Sequence, residues 1–502
     1  MAKPDLNDVI LLPAQGLRVG ANDNSSCATF FRNLKNMCGT VGDAARPQPK
    51  LEFDLSVVDQ IYDGGASLCQ IDMTQAAALR AKYPGVRIVP VSYCDTAVKR
   101  RPHVTGRSSA ATRMVIQVVS AFDGRPLPHA KVSAYIDFDK GTGERRTTNS
   151  KGEVHLSLHR ARTLERLYVD PRANYWSSFE TNVPVHKIRV VRLTPLDLRF
   201  TDCLRYFYGN APLEAGNGVK VAIVDSGIEE HEDLRIDGGV NTVPGENPNA
   251  IGDSGLQHGT HVAGIVAARG TPPHGVRGLA PGVTLRSYRV FAKGKRTASN
   301  YAIAKAIDRA VDDGCHLINI SLSGAHSVVL DEAVAYAHSK GTLVLAAAGN
   351  DDHDAVSFPA ADSLAFAVSA MGRKKTFPRM SSHREDIARP FGTDRMNFLA
   401  AFSNVGFQLD LTAPGVGIIS TVPDGYVAMD GTSMACPAVT GAAARLLSEN
   451  PKVFHLPRAQ SRTDAMANLI FASTIPMGFG GQNEGRGLIH LRRHASNSPH
   501  RQ

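Results

Sequence analysis

The sequence predicts an α/β fold, a parallel sheet with helices on both faces, preceded by a small α+β module and a β-sandwich domain. Two patterns and one set of motifs predict it. In the C-terminal part, helical stretches at 300–313 and 330–340 alternate with short apolar runs, Leu317–Ile320 and Leu343–Ala347, and Gly314 and Gly341 close the helices. That rhythm builds a parallel sheet covered on both sides. Upstream, 113–195 holds short alternating runs divided by turn residues, the pattern of a sandwich. Lastly, three small-residue segments each put one reactive side chain, Asp225, His258 or Ser433, at the end of an element, where open α/β sheets collect function.

Taken in order, residues 1–50 are polar, with Asn, Ser, Gly and Pro clusters, and read as partly disordered. Residues 51–97 form the α+β module: a strand at Ser67–Ile71, a helix capped by Thr74 and running to Ala81, a Pro84-Gly85 turn, and a strand at Val86–Val91. Residues 98–112 are an exposed basic linker and a candidate cleavage site, although Pro102 hinders cutting after Arg101. In the sandwich, 113–195, Val115–Val119, Ala130–Ile136 and Val154–Leu158 are strands separated by Asp123-Gly124 and Asn149–Gly152. The α/β domain spans 198–491, and a basic tail, 492–502, follows.

The 502 residues suffice for about three domains. The run Val9–Leu12 is too short for a signal peptide and no stretch is long and apolar enough for a membrane span. Seven cysteines, an odd number spread along the chain, do not read as a disulfide framework. Together these predict a cytoplasmic location. The net charge of +9 comes from short scattered clusters such as Lys99–Arg101, Lys293–Arg296 and Arg373–Lys375, without aromatic interleaving, so no nucleic-acid partner is expected.

The most informative segment is Gly431-Thr-Ser-Met-Ala-Cys-Pro437, which sets Ser433 at the start of a helix. Free N–H groups and the dipole there favour developing negative charge, and Pro437 in the first turn costs little. Val221–Val224 is a buried strand ending at Asp225, and His258-Gly-Thr-His-Val-Ala-Gly264 opens another helix. A nucleophile, a base, and a carboxylate that orients the base are the three parts of a Ser-His-Asp triad.

The three blocks, in the order Asp225, His258, Ser433, resemble the motifs of the subtilisin-like serine peptidases. The resemblance covers about 58% of the chain and implies a serine endopeptidase with a polypeptide substrate and an acyl-enzyme on Ser433. It makes Asn350, at the end of Leu343–Gly349, the donor to the oxyanion, and it makes Ser321, Leu322, Ser323 and Gly324 the strand that receives substrate. Ala347, Ala348, Gly349 and Ser357 then line the pocket for the residue before the cut bond. Small walls suggest room for a medium or large apolar side chain there, while Asp351, Asp352 and Asp354 would favour basic ones if they face the cleft. The 51–97 module resembles the end of an inhibitory propeptide and implies a zymogen held by its own N-terminus. The 113–195 segment, through Gly124–Val132 and Gly152–Leu156, resembles transthyretin-like or carboxypeptidase-regulatory-like sandwiches. Many relatives are secreted, so a cytoplasmic location is a departure. The family often binds calcium, but no dense carboxylate loop places one here, and no cofactor or metal ligand set is assigned.

Several residues have plainer readings. His261, three positions from His258, reads as structural; Ser226 as a turn residue; Cys436 as small packing; and Asp351, Asp352 and Asp354 as a solvated loop. Ala438 stands where relatives commonly have His. The stretch 373–399 reads as a basic, aromatic, loop-like insertion, and it or the sandwich is the expected surface for a protein partner.

Overall fold

The structure, a computed structural model, describes residues 6–37, 53–99, 102, 104, 111–159 and 161–491. The catalytic part is a nine-stranded sheet ordered Gly239–Asn241, Thr284–Arg289, Lys220–Asp225, Leu317–Ile320, Leu343–Ala347, Ala365–Arg373, Asn397–Ala400, Ile387–Phe391, with Leu409–Pro414 also paired to Ala365–Arg373. Its central strands are parallel. Alternation explains why they read as unbroken apolar runs. Val221 and Ile223 face a core shared with the helices His258–Ala267 and Thr432–Ser448. Ala222 and Val224 face the opposite core, against Asn300–Asp312 and Val328–Ser339. A strand buried on both faces needs no polar side.

The N-terminal module departs from the expected boundaries. Leu6–Leu12 is not part of a separate polar segment; it is an inner strand of a four-stranded sheet ordered Leu55–Gln60, Ser67–Asp72, Leu6–Leu12, Arg87–Pro90. The run Val9–Leu12 explains this. Val9 and Leu11 pack under the module's own helix Ser26–Met37, with Phe30, Phe31 and Leu34. Ile10 and Leu12 pack with Tyr301 and Ile307 in the core that contains the catalytic domain's helices. Around that apolar seam, Arg18 pairs with Asp308 at 2.7 Å and Asp312 at 2.6 Å, and Arg87 with Glu332 at 2.7 Å.

Residues 111–193 form a two-sheet sandwich. Four strands, Ser178–Pro184, Thr163–Asp170, Lys131–Asp137 and Thr142–Thr147, face three, Ile188–Leu193, Ala111–Ser120 and Glu153–His159. The stretch expected to be a loop-like insertion is structured: Ile387–Phe391 and Asn397–Ala400 extend the edge of the main sheet as an antiparallel pair. The sandwich packs on the same stretch. Phe179 N–H donates to the Met380 carbonyl, Tyr168 and Arg166 reach Glu385 at 2.7 and 3.0 Å, and the Trp176 ring meets His383 edge to face. The two surfaces expected to take a protein partner thus partly cover each other.

Candidate active site

Asp225 ends its parallel strand and is fully buried. Its Oδ1 accepts the Nδ1 proton of His258 at 2.7 Å. His258 is the first residue of its helix, and Gly259 beside it is needed: a Cβ there would lie 2.3 Å from the Gly227 carbonyl. With Nδ1 occupied as donor, Nε2 is the free base position, and it is buried with no hydrogen-bond partner among the described residues. His261 is elsewhere in role. Its Nε2 bonds the carbonyls of Ile418 and Val427, and burial pushes its pKa down to about 3, so it stays neutral. Ser226 is likewise structural, donating to Asp253 and accepting from Gly259 N–H.

Ser433 sits in the first turn of the Thr432–Ser448 helix. Its hydroxyl donates to the Ser321 carbonyl at 3.0 Å rather than to His258, and its backbone N–H donates to the carbonyl of Ala97 at 3.1 Å. Asn350 stands beside it. The Asn350 Oδ1 accepts from both the N–H and the hydroxyl of Thr432, each at 2.9 Å, which fixes the amide's orientation. Its Nδ2 is left buried and without a partner among the described residues. Cys436 is buried, its thiol near the Ile320 carbonyl, and burial pushes its pKa up, away from a reactive thiolate.

The Ala97 carbonyl belongs to a segment of this same chain that crosses the site. Tyr93–Thr96 is the middle strand of a three-stranded antiparallel sheet, between Thr297–Ser299 and Leu322–Ser323. Ala97 N–H donates to the Ser321 carbonyl at 3.1 Å, and Lys99 N–H to the Asp430 carbonyl at 3.2 Å. Gly431 makes room for it: at φ 156° it has no side chain, and a Cβ there would meet the Ala97 carbonyl at 2.6 Å. The peptide group that lies on the Ser433 N–H is therefore Ala97–Val98, not one within the basic run that follows. Lys99, expected in an exposed linker, instead pairs with the buried Asp386 at 2.5 Å.

The residues expected to receive substrate divide. Ser321 bonds the segment through its carbonyl, and Leu322 and Ser323 pair with it. Ser323, Gly324, Asn350, Asp351 and Ser357 line a cavity of about 260 Å³ beside Ala97. Ala347 and Ala348 do not reach it; they lie in the cores on the two faces of the sheet, and Gly349 is tied to Thr432. Asp352 and Asp354 are exposed and do not line it, while Asp351 is held by Asn404. Sequence reasoning missed Ala97, Thr432, Asp386 and Asp430. Only Thr432 had a local signal, its place between Gly431 and Ser433. Among the described residues, no group of three or more His, Cys, Asp and Glu side chains is placed to hold a metal ion, and no helix is long and apolar enough to cross a membrane.

A family model described as the subtilase family matches residues 216–485. Alkaline elastase YaB of Bacillus sp. (strain YaB) is 43% identical over 239 residues, 47% of this chain and 56% of its own length. Subtilisin BL and subtilisin Savinase, both of Lederbergia lenta, are 41% identical over 47% of this chain and 78% of theirs. The chain thus spans little more than half the length of the first of these relatives. They overturn the expected cytoplasmic location, since these homologues are secreted, extracellular alkaline proteases. The cysteines misled because the six described ones are all buried: they are packing residues, and packing says nothing of compartment.

Proposed function

The chain belongs to the subtilase family, and we propose that it acts as a serine endopeptidase whose first substrate is its own Ala97–Val98 bond. The observation that carries this is the Ala97 carbonyl resting on the N–H of Ser433, with the segment around it laid on the substrate strands. In this reading the Ser433 hydroxyl turns from Ser321 to His258. His258 Nε2 takes its proton as Oγ bonds to the Ala97 carbonyl carbon. The oxygen, now negative, is met by Ser433 N–H and by the unpartnered Nδ2 of Asn350, which waits where charge develops rather than on the ground-state carbonyl. Asp225 stays ionised and stabilises the imidazolium. The C–N bond breaks, His258 gives its proton to the Val98 amine, and water then releases Ala97 as a carboxylate by the same steps.

The N-terminal module is, in the same reading, a tethered inhibitor. Its docking on the Asn300–Asp312 and Val328–Ser339 helices holds the 93–97 strand in the cleft before the cut and slows its departure afterwards. The sandwich, downstream of the cut, stays with the enzyme. The test is the mass and N-terminal sequence of the purified chain. Wild type is expected to accumulate a fragment beginning at Val98, and Ser433→Ala to stay intact. Cutting of Ser433→Ala at the wild-type rate would sink the nucleophile, and a fragment beginning elsewhere would sink the bond.

A further inference from the structure

Beyond the cut bond the segment is held in a second way. Lys99 is the second residue after Ala97, and its side chain turns into the catalytic domain, where Nζ meets Asp386 Oδ1 at 2.5 Å. Asp386 is fully buried. Its other oxygen, Oδ2, is buried with no hydrogen-bond partner among the described residues. The neighbouring acids are already satisfied. Asp430 takes the Nδ1 of His383 on both oxygens, at 2.6 and 2.7 Å, and accepts from Gly417 N–H. Glu385 is engaged by Arg166 and Tyr168 of the sandwich. Asp386 therefore has Lys99 as its cation.

We infer that the cleft carries a charge-selecting subsite for the second residue after the cut bond, with Asp386 as its specificity-determining residue and a basic side chain as its ligand. The inference rests on the peptidase reading above. Both carboxylates near Lys99, Asp386 and Asp430, belong to the catalytic domain, and the Lys99 N–H is fixed by the Asp430 carbonyl. A separate peptide entering in this register meets the same groups. A buried carboxylate facing a neutral residue has lost water without gaining a partner, and one facing an acid adds repulsion. Burial drives the Asp386 carboxyl upward, toward its neutral form, and the Lys99 charge opposes that rise, while Asp386 and Asp430 hold the Lys99 ammonium charged despite its partial burial. Asp386 ends the short helical turn Ser382–Asp386, within the stretch 373–399; that stretch contributes a binding residue rather than a plain surface loop.

The experiment is internal competition. The full chain, purified, incubated until its mass no longer changes and separated from the cut N-terminal fragment, is given equimolar peptides carrying residues 93–98 of this sequence followed by Lys, Gln or Glu and two glycines. Mass spectrometry of the products reads the ratios of kcat/KM. The Lys peptide is expected to be cut at least roughly ten-fold faster than the Gln peptide, with the Glu peptide slowest. In Asp386→Asn the Lys-to-Gln ratio is expected to fall to about one. A wild-type ratio near one overturns the subsite and leaves the peptidase reading standing, and that measurement needs no variant to fold. A wild-type ratio kept by a folded Asp386→Asn overturns the assignment to Asp386. Cutting of none of the peptides overturns the peptidase reading and the subsite with it.

Discussion

Two halves of one short segment, 93–97 and 98–99, lie on either side of the same serine and are held by different physics. The first half is a strand. It exchanges main-chain hydrogen bonds with 297–299 and 322–323, and its Tyr93 side chain is 60% exposed. Among the described residues, the second half has one main-chain bond, from Lys99 to Asp430, and one side chain seated on a buried carboxylate. A main-chain ladder fixes register and accepts many sequences, because every residue but proline brings the same N–H and C=O. A buried charge makes few contacts and discriminates strongly. The cleft thus aligns a chain with one half and chooses it with the other.

Four substitutions, from the largest expected effect to the smallest, sharpen or break this contrast. Asn350→Ala removes the proposed oxyanion donor that both halves serve, and self-cleavage should slow by about 10²–10³, a magnitude known from subtilisin itself; stopped time courses of fragment formation measure it. Ala97→Pro deletes the N–H that Ser321 accepts, so the ladder loses its last bond before the serine and the rate should fall by roughly 10². A rate within a factor of three of wild type would mean the ladder does not position the bond. Arg18→Ala acts from outside the cleft. It strips the guanidinium from Asp308, which is 1% exposed, and the cut module should leave at least roughly ten-fold faster, seen as quicker recovery of activity on a small peptide. Thr96→Val changes a side chain while leaving the ladder's backbone groups intact, and self-cleavage should stay within about three-fold. A large loss there would give the first half a selectivity that the contrast denies it.

The reactive residues were legible because each is announced by local chemistry. Asp225 ends an apolar run, while His258 and Ser433 open helices made of small residues, and small residues are what close approach requires. The alternation of strand and helix was legible for the same reason, since burial on both faces leaves an unbroken apolar run. Leu6–Leu12 was not. Four apolar residues in a polar neighbourhood carry too little pattern to show that two face one helix and two face another domain. The stretch 373–399 was read as a loop because its basic and aromatic residues lack periodicity, yet its strands are held by pairing with the sheet edge.

By itself, the sequence determined the α/β fold and the placing of Asp225, His258 and Ser433 at the ends of elements, because those depend on neighbours a few positions away along one strand or helix turn, whereas the role of Asn350 came from the resemblance. Only the tertiary structure decided that Ala97 rests on Ser433, that the ladder runs through 322–323, and that Lys99 meets Asp386. These are contacts across 226 to 336 positions of chain, made by backbone groups that every residue carries and by one charge among many. Nothing in a residue's identity marks such a partner until folding brings it near.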